Sequence, residues 1–492
     1  MINIKLIPIV LMCSLLFGSC CHDDEELFSG DGINEHHEII IVGAGISGLT
    51  CGYYLNNKDF LILEKNSSVG GRTISGAYNN LTYAKGSEYL GEPEGYLSKM
   101  IKGLGLSLKE IPSPMDSYFD GKQFYYGSDG LARYLISGSS VSTYKKFVQL
   151  LLNEYDSYEE VPDLVYNSNV KNLDYTTAQN WLSNNGIPDI YINKYNVASR
   201  GLFGASLKEI SAYSFIPEAA FDFDEDDLKY VSGNFDIKNE YTNSQKESSE
   251  SYTFVRGLTE LTNALGDKFS NKIRLNSTVT DVRKEENHYI ITYLKKDGEE
   301  KIVTCNKVVL AVPAPIALNI APSLIQDRKR EILEQIKYSS YATVALFSKS
   351  PIFDKAFDLA VPNDYFFTDI YDATWVQRYY EKTVPKEYII SVYIAPDSYT
   401  NHSINTMSDK DILNNIYKDL NRVFPNASSL VTGYDIEHFY YAYPVMTLGA
   451  YERLKELMKL NQGSFILAGD YTIYPTFESA VESGYLAGKA VK

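Results

Sequence analysis

The sequence predicts an α/β fold built on a Rossmann-type dinucleotide-binding domain, and three observations predict it. The run from Glu38 to Val42 is short, continuous and β-branched, the pattern of a strand buried on both faces. It leads straight into Gly43-Ala44-Gly45-Ile46-Ser47-Gly48 and then into a helical pattern from Thr50 to Leu55. The run from Phe60 to Leu63 reads as the next strand and ends in Glu64, 21 positions after Gly43. At 492 residues the chain exceeds what one core organises, so a second domain is expected.

Each element of this unit has a physical reason. Gly43 permits the tight turn out of the strand, Gly45 lets the backbone approach a pyrophosphate, and Gly48 allows helix and strand to pack closely. The helix N-terminus around Ser47 offers free N–H groups and the positive end of a dipole to phosphates. Glu64 stands where an acid accepts a ribose hydroxyl, and no arginine follows it to meet a 2′-phosphate, which speaks against NADP. Val69-Gly70-Gly71-Arg72-Thr73 then forms a second phosphate-approaching loop, with the Arg72 guanidinium placed to meet the pyrophosphate.

Composition narrows the class. Lys and Arg number 46 against 63 Asp and Glu, a formal charge of −17, which argues against phosphate-tracking nucleic-acid binding. A mean hydropathy of −0.23 excludes a polytopic membrane protein. The apolar run from Leu6 to Gly18 suits a signal-peptide core and is too short for a permanent span. Phe17-Gly18-Ser19-Cys20 resembles the lipobox of bacterial lipoproteins, with Cys20 the lipidated residue and 1–19 the signal. Residues 20–37, with His22-Asp-Asp-Glu-Glu26 and His36 and His37, read as an acidic tether. The expected location is the bacterial cell envelope: exported, lipid-anchored at the outer membrane, and periplasmic or surface-exposed. Of the five cysteines, Cys51 and Cys305 read as buried free thiols, too scattered for a disulfide framework. The six histidines show no metal-ligand spacing, so no metal is expected.

Glu64 through Thr73 resembles the signature of the FAD-containing amine oxidase superfamily, which includes monoamine and polyamine oxidases, protoporphyrinogen oxidase and phytoene-type desaturases. Tyr83 to Gly91, with Gly86, Ser87 and Glu88, resembles the loop that runs beside the flavin ring in that family. Phe254-Val-Arg-Gly257-Leu258, Ile273-Arg-Leu, Val279 and Val308 to Pro313 resemble its central FAD segment, with Val279 where the backbone meets adenine. Phe465-Ile-Leu-Ala468-Gly469-Asp470-Tyr471 and the helix opening at Phe477 resemble its closing segment. There an acid, here Asp470, holds the ribityl chain, and the helix N-terminus faces the pyrimidine oxygen.

The resemblance implies a Rossmann-type FAD/NAD(P)-binding domain (GR2-like) with a second α+β substrate-binding domain inserted in the chain. The FAD-binding parts are 38–91, 253–323 and 446–492, and the substrate parts are 92–252 and 324–445. Helices are expected over Tyr144 to Tyr155, Thr177 to Asn185 and Asp327 to Ile336, and residues 222–252 as an exposed acidic excursion. Tyrosine is abundant, 41 against two tryptophans, and Phe439-Tyr-Tyr-Ala-Tyr443 is a candidate pocket wall beside its bland reading as packing.

Departures from the family pattern carry information. Arg256 and Ser479 replace family glycines. Ala450 occupies the position of the flavin-linking cysteine of monoamine oxidases, which implies non-covalent FAD. Thr343 stands where many amine oxidases carry a lysine near flavin N5, so the prior for ordinary amine oxidation drops. Of two substrate-facing tyrosines, Tyr451 is retained and Thr476 replaces the other. No protein acid or base is named from the sequence. The expected function is an FAD-dependent oxidoreductase, amine oxidase-like, that takes a hydride from a C–N or C–C bond of a small molecule onto flavin N5. Oxygen or a quinone reoxidises it. Desaturase or protoporphyrinogen oxidase-like dehydrogenation, a redox-neutral mutase or isomerase, and a non-enzymatic lipid-anchored flavoprotein are the alternatives.

Overall fold

A computed structural model describes residues 33–229, 237–382 and 386–492. The signal segment 1–19, Cys20, Cys21 and the tether up to residue 32 lie outside the described residues. The first strand runs Ile33–Val42, and its apolar end is buried from Ile39 to Val42. It lies between two parallel neighbours, with Ile40 opposite Leu61 of Phe60–Leu63 and opposite Val308 of Glu300–Leu310. Phe465–Leu467 extends the sheet beyond Glu300–Leu310, and Ile273–Arg274 extends it beyond Phe60–Leu63, giving five parallel strands.

Both faces of this sheet are covered, which is why its strands read as unbroken apolar runs rather than alternating ones. Ile39, Ile41 and Ile62 face a core with Leu49 and Leu55 of helix Ile46–Leu55 and Val481 and Val491 of helix Phe477–Val491. Ile40, Val42, Leu61 and Leu63 face Ala314, Ile320 and Ile332 on the other side. Each such side chain contributes roughly 1.5–3 kcal/mol by leaving water. The first half of Glu300–Leu310 also closes an antiparallel meander with Ser277–Glu285 and His288–Lys295.

The tether ends earlier than the charge pattern predicts. Residues 33–37 belong to the first strand, because Ile33 to His37 pair with Ile302 to Cys305 across a bulge. His36 Nδ1 meets Thr304 Oγ1 at 2.9 Å, and His37 meets Asp59 and Glu35 at 3.0 and 2.9 Å. Such pairing depends on a partner more than 260 residues away, which local composition cannot reveal.

A second sheet stands over the first. Its order is Val431–Phe439, Tyr341–Ser348, Tyr388–Ile394, Asp369–Asp372, Asp358–Ala360, Ser117–Phe119 and Phe124–Tyr126. Helix Asp409–Val423 covers one face, burying Ile412, Ile416 and Leu420 against Val344, Ile370 and Val392. A helical cluster formed by Val141–Tyr155, Ala178–Asn184, Asp189–Phe203 and Ala212–Ala220 completes the lobe. Helix Gly95–Gly103 instead buries Leu97, Met100 and Ile101 in the core of the nucleotide sheet.

Residues 222–252 are not simply exposed. Within helix Ile237–Ser244, Glu240 is 1% exposed, where it accepts the Arg133 guanidinium at 2.6 Å and the Tyr126 backbone N–H. Asp227 is buried and accepts the Tyr144 hydroxyl at 2.7 Å. Acid-rich composition predicts exposure only until a buried cation and hydroxyl supply partners.

Candidate active site

Between the two sheets lies a cavity of about 1730 Å³, lined by both. A single drug-sized ligand fills about 300–1,000 Å³, so this space holds a dinucleotide and a second molecule. At the nucleotide end it is lined by Gly43, Gly45, Ser47, Glu64, Gly70, Gly71, Arg72 and Val279. Two glycines here are structural in different ways. A Cβ on Gly48 would lie 2.0 Å from Gly43 O, so Gly48 sits beneath the cavity and lets the helix touch the turn. A Cβ on Gly45 would meet no atom closer than Gly71 Cα at 4.0 Å, so Gly45 opens on the cavity itself.

The residues present fit a dinucleotide. Gly45 precedes helix Ile46–Leu55 as its N-cap with no side-chain cap, leaving the first N–H groups directed at the cavity. Glu64 is buried, with Oε2 accepting Ala44 N–H at 2.8 Å and Oε1 accepting Asn66 N–H at 2.9 Å, which fixes its carboxylate at the cavity wall. Val279 lies where the register slips against His288–Lys295. Gly86, Ser87 and Glu88 line the middle, and Phe477, at the start of the last helix, faces the same space. Arg72 does not wait unpaired for phosphate: Nη1 meets Asp470 Oδ2 at 2.8 Å and donates to Ala442 O. The pair joins the Gly70-Gly71 loop to the turn before the last helix.

The second sheet forms the roof, and its register decides what faces the cavity. Glu437, Thr343, Tyr393, Asp369, Ala360 and Tyr118 are successive cross-strand partners and share one face. Two residues along, Ser391, Tyr371 and Asp358 continue that face. The intervening row, Val344, Val392, Ile370 and Leu359, is the apolar face under helix Asp409–Val423. Thr343 lines the cavity and donates from Oγ1 to Lys85 O at 2.6 Å. Lys85 itself ion-pairs with Asp435 and Glu437 at 3.0 and 2.9 Å and does not line the cavity.

This half of the cavity is acidic. Burial, opposed by the Tyr393 hydrogen bond, pushes Glu88 up to about 7. Burial, with the Asp222 charge beside it, pushes Asp116 up to about 7. Burial also lifts Glu218 to about 7 and Asp369 to about 6, and holds Asp358 well above the carboxylate range beside Asp369 and Asp116. Asp358 Oδ1 is a buried oxygen with no hydrogen-bond partner. Among the described residues only three basic side chains, Lys65, Arg72 and Lys194, line the whole cavity.

Tyr451 is the correction to the sequence reading. It does not line the cavity; it is 1% exposed on helix Ala450–Leu460 and packs with Tyr213 and Tyr474 in the helical core. Its backbone N–H and that of Glu452 are held by Asp174, which turns the ring inward. The stretch Phe439 to Tyr443 does line the cavity. Among the described residues no cysteine lines it, and Cys51 and Cys305 are buried elsewhere.

The flavin containing amine oxidoreductase family model matches residues 46–492. The chain belongs to this family. As a member of that family it is an FAD-dependent oxidoreductase, and the residues in the nucleotide half of the cavity fit that cofactor. It is similar to a coproporphyrinogen III oxidase of Staphylococcus aureus, 23% identical over 78% of this chain and 83% of the relative. It is also similar to an L-amino-acid oxidase of Siganus canaliculatus, 24% identical over 92% of this chain and 85% of the relative. Among solved structures, cyclohexylamine oxidase from Brevibacterium oxydans superposes with a TM-score of 0.70 at 17% identity, covering 92% of this chain and 98% of that one. The cavity-lining residues missed by sequence reasoning are Asp116, Asp358, Asp369, Tyr371 and Tyr393. The alternation Asp369-Ile-Tyr371 was their local signal, visible only once the strand's two faces were known.

Proposed function

We propose that the protein oxidises a cationic amine, passing a hydride from the carbon beside nitrogen to FAD, with oxygen or a quinone as the final acceptor. The observation that carries this reading is the roof: carboxylates Asp116, Asp358 and Asp369 alternate with the rings of Tyr118, Tyr371 and Tyr393. An ammonium is stabilised by both partners, through charge-assisted hydrogen bonds and through ring faces. The protein's own Lys194 demonstrates the chemistry. Its Nζ lies 2.7 Å from Asp222 Oδ2, 4.0 Å from the Tyr195 ring centre and 5.1 Å from that of Tyr118. A substrate carboxylate would meet acids here that its charge holds protonated, and neither Arg72 nor Lys194 is unpaired to receive it.

Bound FAD supplies the two-electron oxidant. Glu64, Gly45 and the N-terminus of Ile46–Leu55 hold its nucleotide end, and Ala450, at the position of the family's flavin-linking cysteine, leaves the FAD non-covalent. Asp358 and Asp369 hold the substrate nitrogen, and the two sheets exclude water around the reacting carbon. The lipobox-like Cys20 supports an exported, lipid-anchored enzyme at the outer membrane. The test is anaerobic addition of primary amines to the purified flavoprotein. Visible bands that bleach, and return with air, support the reading. Bands bleached instead by carboxylate-bearing substrates, and by no amine, overturn it.

A further inference from the structure

An amine near neutral pH is an ammonium, and its nitrogen has no lone pair to assist hydride loss until a proton leaves. Sequence reasoning names no group to take that proton. The cavity holds one candidate with its own partner. The Tyr393 hydroxyl lies 2.8 Å from Glu88 Oε1 and 2.9 Å from Gly86 O. A phenol has one proton for two acceptors. Both contacts are fully made when Glu88 is protonated, donating to Tyr393 while Tyr393 donates to Gly86 O. When Glu88 is ionised, Tyr393 turns its proton to the carboxylate. The trio therefore has a built position for one additional proton at the cavity wall.

We propose that Glu88, oriented by Tyr393, accepts the proton of the substrate ammonium. This rests on the amine reading above. An N–H bond of the R–CH2–NH3⁺ substrate breaks and its proton passes to the Glu88 carboxylate, leaving R–CH2–NH2 and neutral Glu88. A hydride then leaves carbon with its two electrons for the bound oxidant, the nitrogen lone pair forms C=N, and the product is an iminium. Tyr393 is the positioning residue. It is itself fixed opposite Thr343 and Asp369 in the sheet and against the Tyr371 ring. The groups facing the pair are the carboxyls Asp358 and Asp369, the latter directly opposite Tyr393, and the neutral phenols Tyr89, Tyr371 and Tyr443. Burial places Glu88 at about 7, which suits exchange near neutral pH.

The experiment measures the anaerobic flavin-bleaching rate with a primary amine across pH in wild type, Glu88→Gln, Tyr393→Phe and Glu218→Gln. Calorimetric binding of the matching trimethylammonium, which has no proton to lose, is followed in parallel. The wild-type rate is expected to fall as pH drops through about 7. Glu88→Gln slows bleaching about 100-fold and removes that limb. Tyr393→Phe keeps the limb but moves it to higher pH, because the hydrogen bond that favours ionised Glu88 is gone. Glu218→Gln, whose carboxyl burial raises into the same range, keeps it. In Glu88→Gln, trimethylammonium binding loses the share of its pH dependence that belongs to Glu88 and keeps the share of Asp116. A Glu88→Gln enzyme that retains flavin and bleaches with the wild-type limb overturns the proposal. So does an unshifted limb in Tyr393→Phe. Failure of any primary amine to bleach wild type overturns the amine reading, and this proposal with it.

Discussion

The two halves of the cavity hold their ligands by different means. The nucleotide half works through backbone: glycines bring a turn, a helix end and a loop close enough for N–H groups to reach phosphate. The roof works through side chains, because sheet register puts Asp358, Asp369, Tyr371 and Tyr393 on one face and Val344, Ile370 and Val392 on the other. On the function proposed above, a change in the first half is expected to alter whether FAD binds, and a change in the second what FAD oxidises. Two substitutions in one motif, two in the roof and one in the helical core test that separation.

The largest effect is expected from Gly48→Ala. Its Cβ would meet Gly43 O at 2.0 Å, so helix and turn must part, at a cost of about 3 kcal/mol. The thermal midpoint of the flavin-free protein should fall, and FAD retention with it. Gly45→Ala sharpens the comparison. Its φ of −70° suits any residue and its Cβ meets nothing in the protein within 4.0 Å. The flavin-free midpoint should be unchanged while FAD affinity, titrated by fluorescence quenching, drops about 100-fold.

Asp369→Asn should leave FAD binding intact and raise the KM for a primary amine about 10- to 100-fold, the worth of one charged hydrogen bond. If KM rises equally for a neutral substrate of the same shape, the charge argument fails. Asp116→Asn gives a pH-dependent stability effect. Burial, then the Asp222 charge, raises the folded Asp116 from its ordinary 3.8 to about 7. The folded state therefore keeps a proton that the unfolded chain has released. This group's stabilisation is present below about 3.8 and is lost as pH rises to about 7. Compared with wild type, Asp116→Asn should gain thermal stability, on the order of 2 °C, between pH 5 and pH 8. The smallest effect is expected from Tyr451→Phe. Its hydroxyl meets only the Tyr158 hydroxyl at 3.3 Å, so KM should not move and the midpoint should shift by on the order of 1 °C.

The same division governs what could be read from the chain. Gly43, Gly45, Gly48 and Glu64 lie within a single strand-turn-helix-strand unit, so spacing alone carries their roles. Thr343 lies on strand Tyr341–Ser348 and lines the cavity, where a strand pattern and a family resemblance coincide. Asp358, Asp369 and Tyr393 come from three strands and Asp116 from the residue before Ser117–Phe119, far earlier in the chain, and beyond the Asp369-Ile-Tyr371 alternation nothing local marks them as neighbours. Tyr451 was misjudged for the same reason in reverse. A matching local segment says nothing about which way a ring turns when Asp174, from a distant helix, holds the backbone beneath it. His36 and His37 were assigned to a tether because their partners Thr304 and Asp59 are remote or unmarked.

The central claim is that the acid-and-tyrosine roof selects a cation for oxidation by the FAD beneath it. Its most direct test is stopped-flow flavin reduction, without oxygen, by a primary amine and by the α-amino acid bearing the same side chain, in wild type and in the double variant Asp358→Asn, Asp369→Asn. The account predicts that wild type is reduced by the amine and far more slowly by the amino acid, and that the double variant loses most of this preference while keeping its flavin. Reduction by the amino acid at an equal or faster rate, or a preference unchanged in the double variant, would contradict it.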